Sequence, residues 1–193
     1  MPRFFLPLKA ALLISVLASP LRAEVAAIEP DSGAYLAAMV AASDSDYQAA
    51  AEWFSRALLR DPENPALLQG AVLANLEIGD FDLAADAAQR LTKTGVKNQP
   101  AAIAILTAKA KAGDFTGLLA DQKSGQSTGN LTDALIRAWA LLGAGQMTDA
   151  LAEFDTVSKT KGQEAFGLYH KALALASAGD FEGADEILSG RAA

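Results

Sequence analysis

The sequence predicts an all-α chain in which about five antiparallel helix pairs stack into a solenoid. Three observations carry this expectation. A turn signal recurs roughly every 34 residues, Ala and other good helix formers dominate, and the apolar residues between turns fall at helical spacing.

The signal occurs five times: Ser45-Asp46-Tyr47, Gly79-Asp80-Phe81, Gly113-Asp114-Phe115, Gly145-Gln146-Met147 and Gly179-Asp180-Phe181. The first residues are 34, 34, 32 and 34 apart. Gly tolerates the left-handed backbone that ends a helix, and Asp accepts from the free N–H groups that begin the next. The aromatic or Met that follows is expected in the first turn of the new helix, packed on the preceding one. Three residues on stand Ala50, Ala84, Leu118, Ala150 and Ala184. A small side chain there lets two helix backbones approach closely. β-Branched residues are sparse and scattered, which disfavours strands.

Residues 1–23 place Arg3 and Lys9 around the start of an apolar run, Ala10 to Ala18, which Ser19-Pro20 ends. This is the layout of a secretory signal peptide. The run is shorter than the ~20 residues needed to span a bilayer, so stable membrane insertion after cleavage is not expected. Cleavage is placed near Ala23. Val16-Leu17-Ala18 is a rival site, and a retained anchor is the alternative.

Residues 24–30 form a short linker, followed by units of about 31–64, 65–98, 99–130, 131–164 and 165–193. In the first unit Ala50, Phe54, Ala57 and Leu58 share a helical face, and Asp61-Pro62-Glu63-Asn64-Pro65 closes the unit because Pro cannot continue a helix. The third unit has a short second helix running into a Gly/Ser-rich loop, residues 124–130, a flexible point. In the fourth, Ala150, Leu151, Phe154 and Val157 repeat the helical spacing. Arg137 and Lys171 occupy first-helix positions that should be apolar; they snorkel outward, or the register shifts by one. The last unit runs to Ser189-Gly190-Arg191 without a polar capping helix. Its apolar face is therefore expected to meet a partner, a second copy, or further repeats of a longer array.

The run from Ser45 to Pro62 resembles the second half of a tetratricopeptide repeat (TPR). It carries the aromatic after the turn (Tyr47), the two small packing positions (Ala50, Ala57), the large residue between them (Phe54) and the closing Pro62. The resemblance extends over nearly the whole chain after the leader. It implies a right-handed superhelical solenoid whose first helices line a concave groove. The groove positions that it implies are Tyr35 and Met39, Gln69 and Leu73, Ile103 and Thr107, Leu135 and Trp139, then Tyr169 and Leu173. Leu73 and Leu173 are expected to be taken up by packing between repeats; for Trp139, packing and binding stand even. The Lys, Arg and Asn set with which some members hold a C-terminal carboxylate is missing; Asn75 stands without basic neighbours.

Composition narrows the chemistry. The leader holds three basic residues and no acid, so the remainder sets 13 basic residues against 23 acidic ones, a net −10. An acidic domain without a basic patch repels phosphate backbones and anionic bilayers, so nucleic acid is excluded as a partner. The chain has no Cys and one His, His170, so thiolate and zinc sites have no ligand set. Gly125-Gln126-Ser127-Thr128-Gly129 has the Gly-x-Ser-x-Gly spacing but lies in the expected loop with no strand before it, so it does not make a nucleophile elbow, and no phosphate-binding loop is present. No cofactor and no catalysis are expected. A Cys-free exported product fits a bacterial periplasm. The function expected is a protein-interaction scaffold that takes a peptide or helix in the groove. The alternative is a self-associating structural protein, a homo-oligomer formed through the C-terminal face, or a fragment of a longer array.

Overall fold

The computed structural model describes residues 30–190. The expected leader, and the linker up to residue 29, lie outside the described residues. Among those described there are ten helices and no strand: α1 (Ser32–Ser43), α2 (Tyr47–Leu58), α3 (Pro65–Glu77), α4 (Phe81–Lys93), α5 (Gln99–Lys111), α6 (Phe115–Ser124), α7 (Asn130–Gly143), α8 (Met147–Ser158), α9 (Glu164–Ser177) and α10 (Phe181–Leu188).

The turn chemistry sets these boundaries. Asp31, Asp46, Asp80, Asp114 and Asp180 each accept from the N–H three residues on, at 2.9–3.1 Å. Asn64 and Asn98 do the same for α3 and α5, each with a Pro in the first turn, where the missing N–H costs nothing. Before four of the five second helices the chain passes through a left-handed Gly, with φ from 72° to 89°; in the first repeat Ser45 takes this conformation at φ 60°. Only α7, α8 and α9 start without a side-chain cap. Gln146 at the fourth signal explains α8, because its longer amide does not fold back on the helix end as Asp does.

Consecutive helices pack on one another from α1 to α10. First helices of neighbouring repeats also meet, α1 with α3, α3 with α5 and α7 with α9, whereas second helices make no comparable contact. The array therefore curves with its first helices inside, a superhelical solenoid. Ala50, Ala84, Leu118 and Ala150 are buried at the expected register, which lets paired helices sit close.

A second register pattern joins one repeat to the next. Nine residues after the first residue of each turn signal come Phe54, Ala88, Gln122 and Phe154. Facing them, nine residues before the next signal, are Gly70, Ala104, Ile136 and His170. The Phe54 ring fills the space above Gly70 so closely that a Cβ there would clash with it. Ala88 and Ala104 are both fully buried, a small-on-small junction. Phe154 stacks on His170 with the rings 9° apart. The third junction has neither a wedge nor a small pair. Here the hydrophobic core breaks: one continuous cluster runs from α1 to Ile105 of α5, and two small clusters follow, around Leu118 and around Phe154.

Two expectations need correcting. The aromatic after the turn packs forward as well as back: the Phe115 ring lies against Gly143 of α7, the following first helix. Phe181 is 71% exposed, because no following helix covers it among the described residues. Arg137 and Lys171 do not simply point outward. Arg137 reaches Glu153 at 3.0 Å and Lys171 reaches Asp155 at 2.7 Å, so α7 and α9 are both tied to α8.

Candidate functional site

The ten groove positions lie on the five first helices, at matching heights. Tyr35, Met39, Ile103 and Tyr169 are exposed at 40–54%, and Gln69 is exposed as well. Leu73 and Leu173 were expected to pack between repeats, yet they keep 45% and 39% of their surface. They sit one turn along from Gln69 and Tyr169. They extend the same apolar face.

Leu135 and Trp139 are half-buried. Trp139 meets Phe154 edge-on at 5.7 Å, and its indole N–H donates to His170 Nδ1 at 3.1 Å. His170 Nδ1 is the acceptor of that bond. Tyr169 meets His170 edge-on. The single His is thus absorbed by an aromatic cluster that positions Trp139. Among the described residues no group of three or more His, Cys, Asp or Glu could hold a metal ion, and no helix is long and apolar enough to cross a membrane.

The broken junction leaves an opening that the groove positions alone did not reveal. α5 and α7 do not meet as the other neighbouring first helices do. Between them lie two adjacent cavities of about 400 and 530 Å³, which share Ala110, Leu118 and Ile136 as common walls. One end is closed by Phe115, Leu135 and Trp139; the other is edged by Ile103, Thr107 and Thr132. No charged side chain lines either cavity. The signals in the sequence were the 32-residue third unit and Gln122 at the wedge position.

Beside this cleft the 125–129 loop is organised by Asp133. Its carboxylate accepts from the Thr128 N–H (2.6 Å), the Thr128 hydroxyl (2.8 Å) and the Ser127 hydroxyl. Partial burial pushes its pKa up, but the hydrogen bonds from Ser127, Thr128 and Gly129 outweigh this and hold it below the ordinary carboxylate value. At the other end of the array Asp31 is lowered by the Ala34 N–H, against some desolvation, with help from Arg56.

The fold and its repeat chemistry define a TPR-like helical repeat protein. Solved structures bear this out. YrrB, described as a TPR protein with an unusual peptide-binding site, superposes with a TM-score of 0.63 at 17% identity over 84% of each chain. MamA superposes with a TM-score of 0.63 at 14% identity, over 83% of this chain and 93% of MamA. A second MamA structure, MSR-1 C2, gives 0.57 at 15% identity, over 84% and 98%. At these identities the likeness shows the fold. No protein-family model matches the sequence, and no curated protein matches it.

Proposed function

We propose that this chain is a non-catalytic protein-interaction scaffold of the bacterial periplasm or envelope, which binds a segment of another protein on its first-helix face. The observation that carries the reading is the run of exposed apolar and aromatic side chains along one face: Tyr35, Met39, Ile103 and Tyr169, with Trp139 half-buried among them. Tyr and Trp give large contact area at small entropic cost and are enriched at binding hot spots. YrrB, with the same fold, is described as having a peptide-binding site, which supports a peptide partner. The basic and apolar pattern of residues 1–23 supports export.

The test is a cross-linked pull-down from an envelope extract with residues 24–193, beside the double variant Met39→Ser/Tyr169→Ala. These side chains are exposed, so the variant keeps its helicity. One dominant protein recovered with the wild type and lost with the variant is the expected result. Equal recovery with both overturns the reading. Fractionation of cells expressing the full chain checks export: a mature form in the periplasmic fraction is expected, and a full-length cytoplasmic form rejects it.

A second reading rests on α10. Phe181 and Leu188 are 71% and 63% exposed at positions whose counterparts, Phe115 and Phe54, are covered by the next first helix. A second copy could cover them. Sedimentation showing a mass that rises with concentration, and falls to monomer in Phe181→Ser/Leu188→Ser, would favour self-association.

A further inference from the structure

The cleft between α5 and α7 has a local cause. Where Phe54 and Phe154 wedge their junctions, the third repeat has Gln122. Its amide N–H donates to the Asp133 carbonyl at 3.0 Å and its Oε1 is buried without a partner, so the side chain is held at the start of α7 and does not wedge α5 against α7 as a Phe ring would. α6 is ten residues long, where α2, α4 and α8 have 12 or 13, and it covers less of its neighbours. An apolar gap of a size that no single side chain of this chain fills is the result.

We propose that this cleft takes the apolar face of an amphipathic helix from the partner protein, with one large apolar side chain entering between Leu118 and Ile136 and basic residues along the helix flanks. The inference rests on the protein-binding reading and names its partner. Three observations select this occupant. First, the walls offer almost no hydrogen-bonding groups; Thr107, Thr128, Thr132 and Gln99 lie at one end only. An extended peptide would leave its N–H and C=O groups unpaired against Leu and Phe, whereas a helix satisfies its own. Second, the two cavities lie side by side along α7, one at Thr132 and Ile136 and the other from Leu135 to Gly143, a spacing that suits side chains from successive turns of one helix. Third, charge complementarity sets the flanks. No Lys or Arg lines the cleft, Lys109 and Arg137 are paired with Asp121 (2.8 Å) and Glu153 (3.0 Å), Asp133 stays ionised in the adjoining loop network, and the whole chain carries −7. A cationic flank is attracted to that surface and an anionic one repelled.

The probe is a designed 18-residue helical peptide with a Leu/Phe face and Lys flanks, titrated calorimetrically into residues 24–193. The controls are a scrambled peptide of the same composition, a Glu-flanked version, and dodecanoate, an apolar ligand that is not a helix. Binding at least tenfold tighter than by the scrambled and Glu-flanked peptides is expected. So is a tenfold or greater loss in Ala110→Phe, which fills the cleft from an exposed position, and in Ile103→Lys, which puts a cation at its mouth. Leu59→Ser, 80% exposed just past the end of α2, leaves binding unchanged. Equal binding by the scrambled peptide, undiminished binding in both cleft variants, or saturation by dodecanoate without peptide binding overturns the inference. In the pull-down, a partner kept by Ala110→Phe and lost only with Met39→Ser/Tyr169→Ala sinks the cleft while leaving the scaffold reading intact.

Discussion

Gly167 carries one of the tightest contacts in the chain. A Cβ there would collide with the backbone of Ser158 and with the carbonyl of Phe154, so α9 packs backbone to backbone on the end of α8. A rigid neighbour cannot yield as a side chain can, so Gly167→Ala should destabilise by about 1–3 kcal/mol, the usual cost of overpacking, and lower the melting midpoint by several degrees. Gly70 is a different case: the obstacle to a Cβ is the Phe54 ring, a side chain whose loss would open the space. Gly70→Ala should therefore be better tolerated with Phe54→Leu than alone, a coupling that a double-mutant cycle in urea measures. Asp133 gives a pH dependence of known sign. Its pKa is lower folded than unfolded, so its contribution is complete above the ordinary carboxylate value of 3.8 and fades as pH falls through the lower, folded value. Asp133→Asn should lose that contribution at neutral pH and speed limited proteolysis within residues 125–129. If its cleavage rate at pH 7 matches wild type, the network does not order the loop.

At the level of elements, the helices were legible because their ends are local. A Gly or Ser, then Asp, then an aromatic specifies a stop, a cap and a start within three residues, and each cap forms where Asp stands. The exception is instructive: Gln146 begins α8 without a side-chain bond. Since its backbone angles match those of the capped positions, Gln146→Asp should add about 0.5–1 kcal/mol of stability, read as a shift in the chemical denaturation midpoint at unchanged slope. What joins one element to the next was less legible. Nothing local tells that His170 stacks on Phe154 and accepts from Trp139, or that Arg137 and Lys171 both turn to α8. Those partners are 16 to 31 residues apart and meet only through the way repeats stack. The exposed groove positions follow from the repeat register; the cleft follows from a missing wedge, which is visible only once the junctions are laid side by side.

For the whole molecule, the interrupted core predicts non-uniform stability. A solenoid is held by its repeats and by the interfaces between neighbours, so a weak interface divides it. The α1–α5 cluster is continuous, the clusters beyond it are small, and α6 belongs to the first of these. Hydrogen exchange should show the lowest protection in α6 and the 125–129 loop, with α2 to α4 the slowest to exchange. Uniform protection across all ten helices would contradict this division.

The same break gives the molecule a mechanical character. A coil pulled from its ends yields first at its softest turn, and here that turn is the third repeat, where α5 and α7 already stand apart. A helix seated between them would act as a strut, stiffening the coil against extension. By reciprocity, stretching that widens the gap would weaken its grip on the strut. Tension along this chain and occupancy of its cleft would therefore be read one from the other.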